Sequence, residues 1–283
     1  NSPYRDIRVR VPAGNKWLFS QESPIEEYQW HQDSFGSFDR IFTFWDRSVS
    51  ERIVNDQTGL PWHVGRNYAE LAALSRHDAV AGKRDAVSWV TSNASWKEGH
   101  RRRLAFKDYL VEAGFSFDLF GRGFDPVADK FDAIFPYKYS IAIENYACDD
   151  YWTEKIADCF LSWTVPIYAG ATNILSYFPK ESMILIDPCD HAGALRTIRD
   201  AIDSDHFGRH LDAIDEARRL VLERYQFYPN LQRQMERFAV SAGAARERAF
   251  IPANRMQYAH EPRGRRAKRA VTSTLARWAW RLR

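Results

Sequence analysis

The chain has 283 residues, 45% hydrophobic and 27% charged, which excludes wholesale disorder and leaves room for two modest domains. Its net charge is +3, but residues 263–283 hold eight basic side chains and no acidic one, so the total resolves into −5 for residues 1–262 and +8 for the tail. A body of that sign lacks the footprint of a nucleic-acid binder. Three cysteines with no C-x-x-C pair argue against a disulfide scaffold or zinc ribbon and fit a reducing compartment.

In chain order, Ile7, Val9 and Val11 alternate as a strand does, and 16–20 and 41–45 are short aromatic-rich strands. Glu22-Ser23-Pro24 between them is a loop, because the residue before proline avoids the helical region. A strand over 86–91 ends at Ser92-Asn93, and a helix over 98–112 stops at Gly114. Phe115, Phe117 and Leu119 alternate into Gly121, and a strand over 139–143 runs into Glu144-Asn145. The next helix starts near Thr153 and gathers Ile156, Cys159, Phe160 and Trp163 on one face. Strands over 165–168 and 183–186 follow, then helices from 191 to about 245. The charge-free stretch 159–178 has the length of a membrane span, but Pro166, Gly170 and Asn173 interrupt it, so it reads as helix end, strand and turn. The N-terminus does not read as a signal peptide, and a start at Asn1 points to a processed or truncated product.

Strands alternating with helices predict a parallel sheet covered on both faces, with ligands beyond the carboxyl ends of its strands. The segment 137–178 carries the chemistry. A buried strand ends in Glu144-Asn145, and Tyr151-Trp152-Thr153-Glu154-Lys155 opens a helix. Free N–H groups at a helix start suit an anion. Lys155 adds a point charge, Glu154 can accept from a ribose diol, and Tyr151 and Trp152 offer ring surface. The same residues also fit a plain helix start with a solvated Glu-Lys pair.

Here the motifs become specific: Val87–Asn93 (VSWVTSN), Asp118–Arg122 (DLFGR), Tyr137-Lys138-Tyr139, Glu144-Asn145, Asp150–Lys155 (DYWTEK), Val165-Pro166-Ile167, Gly170 and Phe178-Pro179. In this order they resemble glycosyltransferase family 10, the α-1,3/4-fucosyltransferases, over roughly residues 86–190. The resemblance implies a GT-B fold of two Rossmann-like halves with the donor half C-terminal. Together with the strand–helix order it gives an acceptor-side α/β domain at 1–80, a GDP-sugar domain at 81–250 and a basic tail at 251–283, the linker near 77–83 being read from the order of elements. The resemblance also implies an inverting transfer of L-fucose from GDP-β-L-fucose to a hydroxyl of a glycan acceptor, an oligosaccharide or, where the tail meets a membrane, a lipid-linked glycan. The general base implied is Glu22; on chemistry alone Glu26 and Glu27 serve equally. Lys155, the helix start and Arg103 hold the diphosphate; Arg103 is chosen among Arg101, Arg102 and Arg103 by matching Arg-x-x-Phe with Phe106. Glu154 binds the ribose and Asn145 a donor phosphate or the sugar. Ser92, Asn93 and Tyr151 lie in the donor motifs, and Arg122 and Lys138 are supporting or guanine-side residues.

The chain departs from the family pattern in three places. Its acceptor part of about 80 residues is short, so an N-terminal portion is missing or the domain is reduced. Trp152 stands where the family has a β-branched residue, and either narrows the donor pocket or repacks behind it. The loop 146–150 differs, and Asp149-Asp150 are expected to cap the helix, with no metal or other cofactor required. The alternatives are another GDP-sugar, or a catalytically silent binding module. The sequon Asn93-Ala94-Ser95 is taken as chance, and His31 and His63 receive no role. In the tail, Val271, Leu275, Trp278 and Leu282 share a helical face flanked by arginines, which suits an anionic membrane surface. The expected location is therefore cytoplasmic, peripheral at the inner face of the membrane, with no nucleic-acid partner.

Overall fold

The computed structural model describes residues 7–21, 35–44, 50–59, 61–238 and 246–251. Glu22 and the tail 263–283 lie outside the described residues. By contacts the chain divides into two units, one of residues 42–239 and one of residues 1–41 with 240–283.

In the second of these, β1 (Ile7–Pro12) pairs antiparallel with β10 (Arg246–Ile251), Ile7 opposite Ile251. Lys16 links Asp39 and Glu247 at 3.3 and 3.2 Å. The sequence reading put residues 246–250 in the donor domain; they instead form the ladder partner of β1. Along the chain come the short strands β2 (Trp17–Phe19), β3 (Arg40–Thr43) and β4 (Ile53–Asn55), of which β4 belongs to residues 42–239.

Residues 42–239 contain the parallel sheet. Its strands are β5 (Arg84–Val90), β6 (Asp118–Phe120), β7 (Tyr137–Ile143), β8 (Val165–Ala169) and β9 (Ile184–Leu185), in spatial order β6-β5-β7-β8-β9. All four neighbouring pairs are parallel. Successive side chains of a strand point to opposite faces. Tyr139, Ile141 and Ile143 of β7 accordingly pack into one core with Phe106, Leu110 and Ile198, while Ala142 joins the other with Ile134, Ile156 and Phe160. With both faces buried, the strands read as apolar runs rather than as alternations. The covering helices include α1 (Tyr68–Ala73), α2 (Arg76–Val80), α3 (Glu98–Glu112), α4 (Lys130–Ile134), α5 (Glu154–Leu161), α6 (His191–Asp203), α7 (His206–Arg209), α8 (Leu211–Leu220) and α9 (Phe227–Arg237). The expected α/β class and Rossmann-like C-terminal half are therefore present. No helix among the described residues is long and apolar enough to cross a membrane, and the charge-free stretch resolves into the end of α5, β8 and a turn.

The linker expected near 77–83 falls inside this unit. Lys83 reaches the carbonyls of Phe135, Tyr137 and Ser162 and the hydroxyl of Thr164 at 2.5–3.1 Å. Upstream, Arg66 pairs with Asp129 at 2.7 Å, the His63 amide donates to Asp158, and Arg218 donates to the Leu71 carbonyl. A segment tied at so many points has no linker freedom.

Candidate active site

From β5 the chain steps to β6 on one side and later to β7 on the other, so the strand order reverses between β5 and β7. A crevice beyond the carboxyl ends of the strands opens at such a switch point. A cavity of about 420 Å³ lies there, lined by Val90–Ser92 after β5, Gly121 and Arg122 after β6, and Ile143 and Asn145 after β7. Two glycines let its walls close up. Gly121 has φ +111°, and a Cβ on it would overlap the Thr91 carbonyl oxygen; a Cβ on Gly99, in the first turn of α3, would overlap that of Asn145.

Arg103 comes from α3 and is 5% exposed. Its Nη1 donates to Asn145 Oδ1 at 2.8 Å and its Nη2 to the Ser92 carbonyl at 3.3 Å, so one guanidinium ties the ends of β5 and β7. Burial lowers its pKa from the ordinary arginine value, with the Glu144 charge opposing. The start of α5 is held differently. Glu144, 3% exposed at the end of β7, accepts from the Thr153 amide at 2.8 Å, from the Thr153 hydroxyl at 2.7 Å and from Lys155 Nζ at 3.0 Å. Thr153 is the N-cap of α5 and accepts in turn from the Lys155 amide. Burial pushes the Glu144 carboxyl up, against the pull of Lys155 and Thr153; burial also opposes the ammonium of Lys155, but Glu144 and Glu154 outweigh it and raise that pKa.

Glu154 lies 3.4 Å from Lys155 Nζ, 3.5 Å from Lys130 Nζ and 3.8 Å from His63 Nδ1. Burial alone would raise its carboxyl, but these three partners outweigh it and hold the pKa down at about 2. Lys130 also meets the buried Asp158 at 3.1 Å. The cavity wall thus carries Arg103, Arg122, Lys130 and Lys155 against two carboxylates, Glu154 and Asp158. An excess of cations at the mouth of a parallel sheet, with a helix start beside it, favours an anion.

Of the residues named from sequence, Ser92, Arg103, Arg122, Asn145, Glu154 and Lys155 line this cavity. Asn93, Tyr151 and Lys138 do not. Asn93 donates its amide to the Arg122 carbonyl and packs its side chain against Gly123. Tyr151 is buried, its ring 4.7 Å from Phe44 and 6.4 Å from Tyr146. Lys138 stands at the opposite, N-terminal end of β7, paired with Asp85 at 3.3 Å and Asp205 at 3.7 Å. Trp152 is not in the wall either; it packs edge-on against Tyr177, Phe178 and Tyr225 behind the site. The N-cap of α5 is Thr153 rather than Asp149 or Asp150; these two accept from Thr172, and from Asn173 and Tyr177, pinning the β7–α5 loop to the segment after β8. Among the described residues no group of three His, Cys, Asp or Glu side chains could hold a metal ion. Sequence reasoning missed Lys130, Asp158 and His100 in the wall, and gave His63 no part beside Glu154.

Residues 80–208 match the family described as glycosyltransferase family 10 (fucosyltransferase), C-terminal. The matched segment is similar to the C-terminal domain of that family. The matched residues hold all six cavity residues foreseen from sequence. The chain is 26% identical over 202 residues to the 4-galactosyl-N-acetylglucosaminide 3-alpha-L-fucosyltransferase FUT5 of Homo sapiens, covering 69% of this chain and 50% of the relative. It is 26% identical over 202 residues to the 3-galactosyl-N-acetylglucosaminide 4-alpha-L-fucosyltransferase FUT3 of Homo sapiens, covering 69% and 52%. The chain thus spans about half the length of the curated relatives it matches. It is also similar to a crystal structure of an alpha1,3-fucosyltransferase with GDP-fucose, at 19% identity and a TM-score of 0.49 over 76% of this chain and 78% of that one.

Proposed function

We propose that this chain is an inverting fucosyltransferase that moves L-fucose from GDP-β-L-fucose to a hydroxyl of an oligosaccharide or lipid-linked glycan. The observation that carries the reading is the cluster of Arg103, Arg122, Lys130 and Lys155 around one cavity at the switch point of the segment that matches family 10. In an inverting transfer the acceptor oxygen attacks the anomeric carbon from the face opposite the diphosphate. A base takes the acceptor proton, and negative charge collects on the departing phosphate. Arg103, Lys130 and Lys155 are the groups that meet that charge, Arg103 through its fork. Glu154, pinned between two lysines, accepts from the ribose hydroxyls. Glu22 is the base on this reading.

A nucleotide-sugar panel read by GDP release tests it: GDP-fucose should be consumed in preference to GDP-mannose or UDP-sugars, and release unaffected by EDTA would accord with chemistry that needs no metal. Preference for another GDP-sugar would move the assignment to that donor. GDP binding without turnover on any acceptor would favour the silent binding module. Glu22→Gln should lower kcat and leave GDP affinity nearly unchanged; normal turnover removes Glu22 as base. We also assign the tail to a cytoplasmic membrane surface, since eight basic residues and none acidic accompany its apolar face. Equal flotation on anionic liposomes with and without residues 263–283 would reject that assignment.

A further inference from the structure

We propose that His100 is a further donor-site residue, one that binds the diphosphate of the nucleotide sugar and takes up a proton from solvent as the diphosphate enters. The inference rests on the reading of the cavity as a GDP-sugar site.

His100 lies in the first turn of α3 and lines the cavity, yet it is 6% exposed. Its ring is fixed by stacking on Trp96, with centroids 5.1 Å apart. Its Nδ1 is buried and has no hydrogen-bond partner. A buried polar atom without a partner is costly, about 1–3 kcal/mol, and calls for an explanation such as a missing ligand. The charged groups facing the ring come from every neighbouring element: Lys97 before α3, Arg103 on α3, Arg122 after β6 and Lys155 on α5. Lys130, Glu154 and Asp158 stand on the same wall. Burial first, then these four cations, keeps the imidazole below its ordinary pKa, so without an anion beside it the ring is neutral near neutrality. The start of α3, which has no side-chain cap, adds positive potential of the same sign.

An entering diphosphate reverses that field. Its charge offsets the cations, and a protonated Nδ1 becomes a donor to a phosphate oxygen. The step is a proton moving from bulk water to the imidazole; no bond of the donor is made or broken. The consequence is specific to this residue: donor affinity falls as pH rises, because the proton needed for the contact becomes scarcer.

Calorimetry with GDP-fucose and no acceptor tests this, since its diphosphate, esterified at both ends, has no titration of its own near neutrality. The apparent enthalpy is measured at pH 6.5 in two buffers of different ionisation enthalpy. Wild type should take up a substantial fraction of one proton, declining toward none by pH 8.5. His100→Asn, which keeps a neutral polar group near the Nδ1 position, should take up none. It should bind roughly tenfold more weakly at pH 6.5, the low end for a hydrogen bond to a charged group, with the gap closing as pH rises. Nitrogen NMR of histidine-labelled wild type reads the same event without a variant, as one ring passing to imidazolium on donor addition. Binding with no proton uptake, or equal uptake by both proteins, overturns the role of His100 and leaves the GDP-sugar site standing. No binding by wild type overturns both.

Discussion

Glu144→Gln isolates what holds the site's helix in place. The carboxylate receives three donors, the Thr153 amide, the Thr153 hydroxyl and Lys155 Nζ, all within 3.0 Å. A glutamine keeps one oxygen and presents an NH2 where the other stood, so one donor meets another donor and Lys155 loses its nearer carboxylate. Breaking a buried ion pair from one side costs about 3–5 kcal/mol. Lys155 keeps Glu154 at 3.4 Å, and its side chain is 22% exposed, which moves the expectation to about 2–3 kcal/mol. For a unit of this size that is a fall in Tm of roughly 4–12 °C. The start of α5 and the Lys155 ammonium are also released from their places, so GDP affinity should fall at least tenfold. Urea melts together with GDP calorimetry read both numbers. A loss of stability below about 0.5 kcal/mol with unchanged GDP affinity would refute the role given to Glu144.

Trp152→Ile should cost about 2–3 kcal/mol in a urea melt, because it empties part of an aromatic cluster, while the GDP dissociation constant stays within about twofold; a large affinity change would put the ring in the donor pocket after all. Gly99→Ala forces α3 away from the Asn145 carbonyl and carries Arg103 with it, so GDP affinity should drop about tenfold or more, and unchanged binding would contradict the close approach. Glu154 titrates near 2 when folded and near its ordinary 4.5 when unfolded. The unfolded chain therefore binds more protons between those values, and stability falls as pH drops from about 4.5 toward 2. Glu154→Gln should flatten an acid-denaturation profile in that window; an unchanged slope there would show that Glu154 is not held as described.

The sheet was legible because its elements carry strong local patterns. Ile156, Cys159 and Phe160 share a helical face, Gly114 closes α3 with φ +66°, and the β7 and β8 runs are apolar throughout. Short elements were not. Helix α4 has one turn and little more than Asp129 as a start signal. Helix α1 did have a readable one, the reciprocal pair of Asn67 and Glu70 at its N-terminus. Phe115 and Phe117 alternate like strand residues, yet β6 begins only at Asp118, and Phe117 packs its ring on Trp89 instead.

The site divides the same way. Residues in contiguous motifs after strand ends were found, because a strand end followed by a helix start is a local pattern. Lys130 reaches the cavity by meeting Asp158 and Glu154, far along the chain, and nothing near it in sequence foretells that. His100 was hidden beside three consecutive arginines. Lys138 was placed at the site because its motif opens β7, whereas the cavity lies past the other end of that strand.

The ribbon of β1 and β10 has a consequence for the order of events at birth. Its two strands pair residues 7–12 with 246–251, so the earlier strand waits for a partner made more than 230 residues later. At 5–20 residues per second that interval is roughly 10–50 s. Through it the alternating Ile7, Val9 and Val11 have no mate of their own, and a nascent chain stalled before residue 246 presents a naked strand to whatever chaperone or neighbour it meets.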